Sequence, residues 1–499
     1  MPPPLDAGLM APSSKGDLAL FIRRVSELIK RQPVTCGADT SVTEAALLMT
    51  RFGVGSVIVM AADGTPVGIV TDHDLRTRVV AEALPVGTPL RSIMSSPVIH
   101  VEPGCLAFDA LLEMTRRRVH HLALVADGRL VGVVSSHDII LLQGAQPVAL
   151  VRDIEGAETL EQLVTAAPRI QAVVRWLVGA GAGVLEIGRI IAELNDRLVG
   201  RALALVVSTL EQQGEGKPPL PYAWLVAGSE GRREQTLKTD QDNGLVYQDP
   251  STSQRESVAR YFSRLSGAMG EVLLRLGFPL CPGGFMASNP LWCQPDSVWR
   301  GYFTSWMDAP EPQQVLRASL FFDLRPIAGD EGLGEALWSW VCDRAPSQRL
   351  FLGYMAKAAL ERRVPLGPFG GFVVERSGAH KGTLDLKARG IFPTTQAVRV
   401  CALSLGLRET NTMDRLAGLG ARGFYSEAEV KEVRDAHEII SRIRLSHQLA
   451  RLDAGLPADN SLDPRTLGKV DRMLLKQAFK AVSWLQRDVG DRFRTALVG

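Results

Sequence analysis

Charge imbalance, paired cysteines and long apolar runs are all missing from this chain of 499 residues. The 56 basic and 54 acidic residues leave a net charge of +2, which argues against a surface that coats nucleic acid. The six cysteines, at 36, 105, 281, 293, 342 and 401, form no C-x-x-C pair. Their scatter excludes a disulfide framework and implies reduced thiols in a cytoplasmic protein. The eight histidines make no H-E-x-x-H or zinc-like grouping. The most apolar long stretch, residues 173–194, contains Arg175, Glu186 and Arg189, so it reads as buried helix and no membrane span is expected. The first seventeen residues lack a basic segment followed by an apolar one, so secretion is not expected. What is present, 46% hydrophobic and 22% charged residues, suits a soluble globular chain of several domains.

An internal repeat opens the chain. One copy begins at Pro33 and the second at Pro97, and Gly68 and Gly132 keep the offset. Each copy reads as strand, amphipathic helix, strand, Asp-Gly turn and strand. The turns are Asp63-Gly64 and Asp127-Gly128. Each copy ends in G-h-h-[ST]-x-x-D, with Thr71 and Asp74 in the first and Ser135 and Asp138 in the second. Two tandem copies of this pattern resemble a CBS domain pair, the adenosine-ligand module. The resemblance implies an adenine nucleotide (AMP, ADP or ATP) at Thr71, Asp74, Ser135 and Asp138, and a homodimer formed through the pair. A hydroxyl beside a helix N-terminus suits phosphate, and the aspartate suits ribose hydroxyls. The same residues also suit a plain helix cap.

Residues 147–213 have helical periodicity and read as a connector, closed by the breaker "GEGKPPLP" at 214–221. Then "YAWLVAG" predicts a buried strand, Gly228-Ser229 a turn, "EGRREQTL" a helix start, and "TDQDNGLVY" a second strand. On a strand, Asp240 and Asp242 would point the same way. Adjacent carboxylates repel unless a cation lies between them, and Mg²⁺ takes carboxylate and phosphate oxygens. The turn and the helix N-terminus opposite can hold phosphate.

This "GS-x10-D-x-D" after a strand resembles the polymerase-β-like nucleotidyltransferases, which carry a third carboxylate on a later strand. Asp323, after the apolar run 320–322, is the candidate. Together with "GFPLCPGGFMASNPLWC", "LFFDLRPIAGD", "GTLDLKARGIFPTTQAVRVCALSLGL" and "TNTMDRLAGL", the motif is similar to that of the CBS-linked bacterial nucleotidyltransferase family. That family is similar to the uridylyltransferase of the PII regulator and has a helical substrate-binding domain at its C-terminus. The resemblance implies that Asp240, Asp242 and Asp323 hold two Mg²⁺ ions, and that Gly228, Ser229 and Arg232 bind the phosphates of an NTP. Its acceptor, a regulatory protein or a small molecule, is unidentified. Lys381, Asp385, Lys387 and Arg389 are candidates for contacting it. Trp292, Trp299 and Trp306 recur every seven residues and read as a core stripe. Ser426 and Glu429 predict a capping box, and Asp463-Pro464 a helix start, in a C-terminal bundle.

The expected architecture is α+β and multidomain. An N-terminal segment (1–27) precedes a tandem CBS pair (28–145) and a helical linker (146–221). A nucleotidyltransferase core (222–345) and a helical bundle (346–499) follow. The expected activity is regulated nucleotidyl transfer. The rival is a catalytically inactive nucleotide sensor that acts by partner binding.

Overall fold

The structure is a computed structural model and describes residues 24–29, 31–117, 119–136, 146–237, 240–367 and 369–498. Most of the 1–27 segment, and Asp138, lie outside the described residues. The chain divides into two compact units. One comprises Met1–Gln146 with Ala180–Ala182, the other Pro147–Gly179 with Gly183–Gly499.

The first unit realises the repeat. Strands β1 (Thr35–Gly37), β2 (Ser56–Met60) and β3 (Pro66–Thr71) form one sheet, with β1 parallel and β3 antiparallel to β2. Strands β4 (His100–Val101), β5 (His121–Ala126) and β6 (Arg129–Ser135) repeat the arrangement. The helices Val42–Phe52 and Ala107–Arg117 fill the crossovers, and Ser41 with Glu44 caps the first. Asp127 and Gly128 both take positive φ, 48° and 75°, which gives the tight two-residue hairpin the dipeptide predicts.

The second unit centres on a four-stranded sheet in the order β10-β7-β8-β9. Its strands are β7 (Tyr222–Val226), β8 (Asn243–Tyr247), β9 (Cys293–Pro295) and β10 (Arg325–Gly329). Strands β7 and β8 are antiparallel, β10 joins β7 antiparallel, and β9 joins β8 in parallel after the helix Arg255–Arg275. Trp292 and Trp306 pack on Phe321, at centroid distances of 4.4 and 5.9 Å, and Trp299 is fully buried beside them. Each such aromatic contributes roughly 1.5–3 kcal/mol by burial.

The helices within 160–179 and 184–212 belong to the same compact unit as the sheet. The 29-residue helix Val184–Gln212 buries Ile187, Ile191, Leu198 and Ala202. Its Asp196 accepts two hydrogen bonds from Arg325 on β10, at 2.7 and 2.9 Å. One continuous apolar cluster runs from Leu225 and Val246 through Phe322, Val341 and Met355 to Val400, Leu416 and Leu485. In the helical region, Ser426 and Glu429 form the predicted capping box on the helix Glu427–Asp453. Asp463 caps only a single turn (Pro464–Thr466), and the long helix starts at Lys469 behind Gly468.

Candidate functional site

Strand β7 ends at Val226, and the chain turns at once into a single helical turn, Gly228–Gly231. Gly228 has φ +58°, a conformation that glycine adopts without cost. A Cβ there would stand 3.0 Å from Asp242 Oδ2, so the carboxylate lies directly against the turn. The Ala227 N–H donates to the Asp242 carbonyl at 2.9 Å and fixes the two segments together. The helix predicted over "EGRREQTL" stops after four residues, because Arg233 enters the left-handed region at φ 56°.

Asp240 and Asp242 sit just ahead of β8 rather than on it. The alternation still holds. Gln241 is buried between them, and its Nε2 donates to the Phe278 carbonyl at 3.0 Å. Asp240 is exposed and Asp242 half-buried. Burial raises the Asp242 carboxyl pKa, against a hydrogen bond from the Cys281 thiol and attraction to Lys387; repulsion by Asp240 adds to the rise. The Lys387 ammonium is held below its ordinary range by burial and by Arg444 and Arg232, and attraction to Asp242 and Asp240 opposes this. Its side chain is nonetheless exposed to solvent. Of the four proposed acceptor contacts, Lys387 is the one whose field reaches the acidic pair. Arg389 pairs with Glu375 at 3.0 Å, Asp385 accepts from the Ala388 N–H, and Lys381 is exposed.

Asp323 requires a correction. It closes a 3₁₀ turn, Ser319–Asp323, not a strand, and is 0% exposed. Its Oδ1 accepts from Arg399 Nε (2.8 Å) and Arg415 Nη1 (2.6 Å). Its Oδ2 accepts from Arg232 Nη1 (2.6 Å) and from Arg399 Nη2. Four N–H donors occupy the roughly four acceptor positions of a carboxylate, so none remains for a metal ion. The three guanidinium groups hold this carboxyl far below the usual carboxylate range against the effect of burial. Among the described residues no group of three or more His, Cys, Asp or Glu side chains could hold a metal. Asp240 and Asp242 thus stand as two carboxylates without a third beside them among the described residues. Such a pair suits one Mg²⁺ that takes its remaining ligands from water and phosphate, and does not suit two ions sharing a third acid.

Arg232 serves this cluster from the other side. Its Nε donates to Glu234 at 2.7 Å, and Glu234 accepts from the Thr412 N–H at 2.7 Å. Thr410 donates to the Gly231 carbonyl and Asn411 to the Arg232 carbonyl, both at 2.8 Å. The "TNTMDRL" segment thus clamps the turn to the helical region. Arg232, with Nε and Nη1 engaged, contributes positive charge beneath the turn. Ser229 is half-buried on the turn, and its carbonyl accepts from the Glu234 N–H at 2.9 Å. Glu230 is buried there too. Burial pushes its carboxyl up to about 8, Asp196 and Asp242 reinforce the shift, and Arg325 opposes it.

Arg399, Arg415 and Glu230 were missed in the sequence. A lone arginine in the apolar run "QAVRVCAL" was the available signal for Arg399, since buried arginine needs a partner. Nothing local marks Glu230.

In the first unit, Thr71 and Asp74 form a reciprocal cap. Thr71 Oγ1 donates to Asp74 Oδ2 at 2.7 Å, and the Asp74 N–H donates back at 3.3 Å. Asp74 is buried and also approaches Arg78 Nε at 3.4 Å. Ser135 lines a cleft of about 550 Å³ with Val34, Gly55, Ser56 and His120.

Three family models match the chain. "CBS domain" covers residues 25–81 and 90–144. "Putative nucleotidyltransferase DUF294" covers 168–313, and "Putative nucleotidyltransferase substrate binding domain" covers 349–493. An uncharacterized protein of Methanopyrus kandleri is 33% identical over 121 residues, 24% of this chain and 62% of that protein. A CBS domain-containing protein of Bacillus subtilis is 29% identical over 24% of this chain and 84% of its own. A solved CBS domain protein of Pyrobaculum aerophilum, complexed with AMP, is 34% identical over 23% of this chain and 89% of its own, with a TM-score of 0.22. The chain spans 62%, 35% and 23% of the length of the first three curated relatives. No helix among the described residues is long and apolar enough to cross a membrane.

Proposed function

We propose that this chain, which belongs to the CBS-linked family of nucleotidyltransferase-like proteins, binds an NTP between the 228–231 turn and the Asp240–Asp242 pair and transfers its nucleotidyl group to an acceptor hydroxyl. The acceptor hydroxyl loses its proton to solvent, its oxygen forms a bond to the α-phosphorus as the bond to the bridging oxygen breaks, and pyrophosphate leaves. The carrying observation is the Asp242 carboxylate set against the Gly228 turn, beside Asp240.

Backbone N–H groups of the turn bind phosphate oxygens. Lys387, from the helical region, offers a cation opposite the carboxylates and holds the triphosphate tail. Arg232 acts through its charge and through the loop it holds. Mg²⁺, when bound at Asp240 and Asp242, neutralises phosphate charge. Positioning of the acceptor against the phosphate supplies much of the rate. The CBS pair binds an adenine nucleotide in the cleft at Ser135, pairs two chains into a homodimer, and biases the transferase; the setting is the cytoplasm.

One observation favours the rival, a nucleotide sensor without catalysis: the expected third carboxylate, Asp323, is fully occupied by arginine. Labelled NTPs, Mg²⁺ and lysate separate the two. Label transfer lost in Asp240→Asn/Asp242→Asn establishes the enzyme. No transfer from any NTP, with AMP binding intact, establishes the sensor.

A further inference from the structure

Helices within residues 160–212 line a cavity of about 320 Å³ with the segment that follows the Gly228–Gly231 turn. Its walls are mostly apolar, with Val164, Ile170, Val174, Ile191, Leu276 and Leu452, while Gln171, Thr236 and Arg275 add polar groups to the lining. The volume falls at the lower end of the range of small-molecule sites, roughly 300–1,000 Å³. One polar feature stands out on its wall. Asn195, on the long helix Val184–Gln212, is 0% exposed. Its Nδ2 donates to Gln235 Oε1 at 2.8 Å, while its Oδ1 has no partner among the described residues. A buried amide oxygen without a donor is costly, and buried polar atoms are nearly always paired.

We propose that this cavity is a binding site for a small, largely apolar molecule that carries one hydrogen-bond donor, with the donor directed to Asn195 Oδ1. The site does not depend on the transferase reading. It is separate from the acidic pair but touches the same segment, since Thr236 and Leu237 line it and connect the Gly228–Gly231 turn to Asp240. An occupant therefore presses on the loop that carries the carboxylates.

Two probes with one bicyclic frame test the site on the full chain: 2-naphthol, and 2-methylnaphthalene, in which a methyl group replaces the hydroxyl. Fluorescence titration should show saturable binding at one site per chain, with 2-naphthol about tenfold tighter, the worth of one hydrogen bond to a buried acceptor. Asn195→Leu should erase that preference, and Ala167→Trp, on the cavity wall, should abolish binding of both probes. If Ala167→Trp does not give wild-type circular dichroism, Val164→Phe takes its place with the same expectation. The proposal is overturned if neither probe saturates, if the filled variant binds as tightly as wild type, or if the hydroxyl preference survives Asn195→Leu.

Discussion

Asp323 shows how far a carboxylate's role depends on its neighbours. An aspartate on a presumed strand near a D-x-D pair reads as a metal ligand; the same aspartate surrounded by Arg232, Arg399 and Arg415 is a counter-ion. Asp323→Asn should therefore destabilise the fold by about 3–5 kcal/mol, the cost of leaving buried charge uncompensated. Urea unfolding measures this; a metal-ligand role would instead leave stability intact. Glu230 gives a pH signature. Its carboxyl is raised to about 8 in the fold, so its contribution to stability is complete below the ordinary glutamate range and is lost as pH rises through about 8. Glu230→Gln should flatten the decline in melting temperature between about pH 4.5 and 8. An unchanged slope would mean that the carboxyl ionises without cost.

At the scale of elements, the turn after β7 is held by close backbone approach. A Cβ on Gly231 would stand 1.9 Å from the Asp323 carbonyl oxygen, a backbone atom that cannot swing aside. Gly231→Ala should separate the turn from the 319–323 segment and release the Thr410 and Asn411 clamps. The expected outcome is weaker binding of Mg²⁺-NTP by at least tenfold in calorimetry, an effect of about 1.4 kcal/mol or more. The turn's position, unlike its existence, depends on segments nearly 180 residues further along the chain.

For the whole molecule, the two halves of the CBS pair are alike in sequence, and the cleft at Ser135 is the place proposed for the nucleotide. In the other half, Asp74 is held by the Thr71 cap and Arg78. Ser135→Ala should weaken AMP binding by calorimetry. Thr71→Ala should leave AMP affinity unchanged and lower thermal stability through the lost cap, by about 0.5–2 kcal/mol. Equal loss in both variants would point to two equivalent sites. In the second unit, one core passes from the sheet into the C-terminal helices, so those two regions should unfold together.

Local chemistry carried much of this protein. The repeat, the Asp-Gly hairpin at 127–128, strands β7 and β8, the Gly-Ser turn and the Ser426 cap depend on periodicity and on residues a few positions apart, and such features are legible in one dimension. Tertiary structure decided what those residues face. Whether Asp323 meets a cation or three guanidinium groups, and what the helices within 160–212 pack and pair with, depend on partners 76 to 278 residues away. Charge pairing and burial are set by distance in space, and only the folded chain determines that.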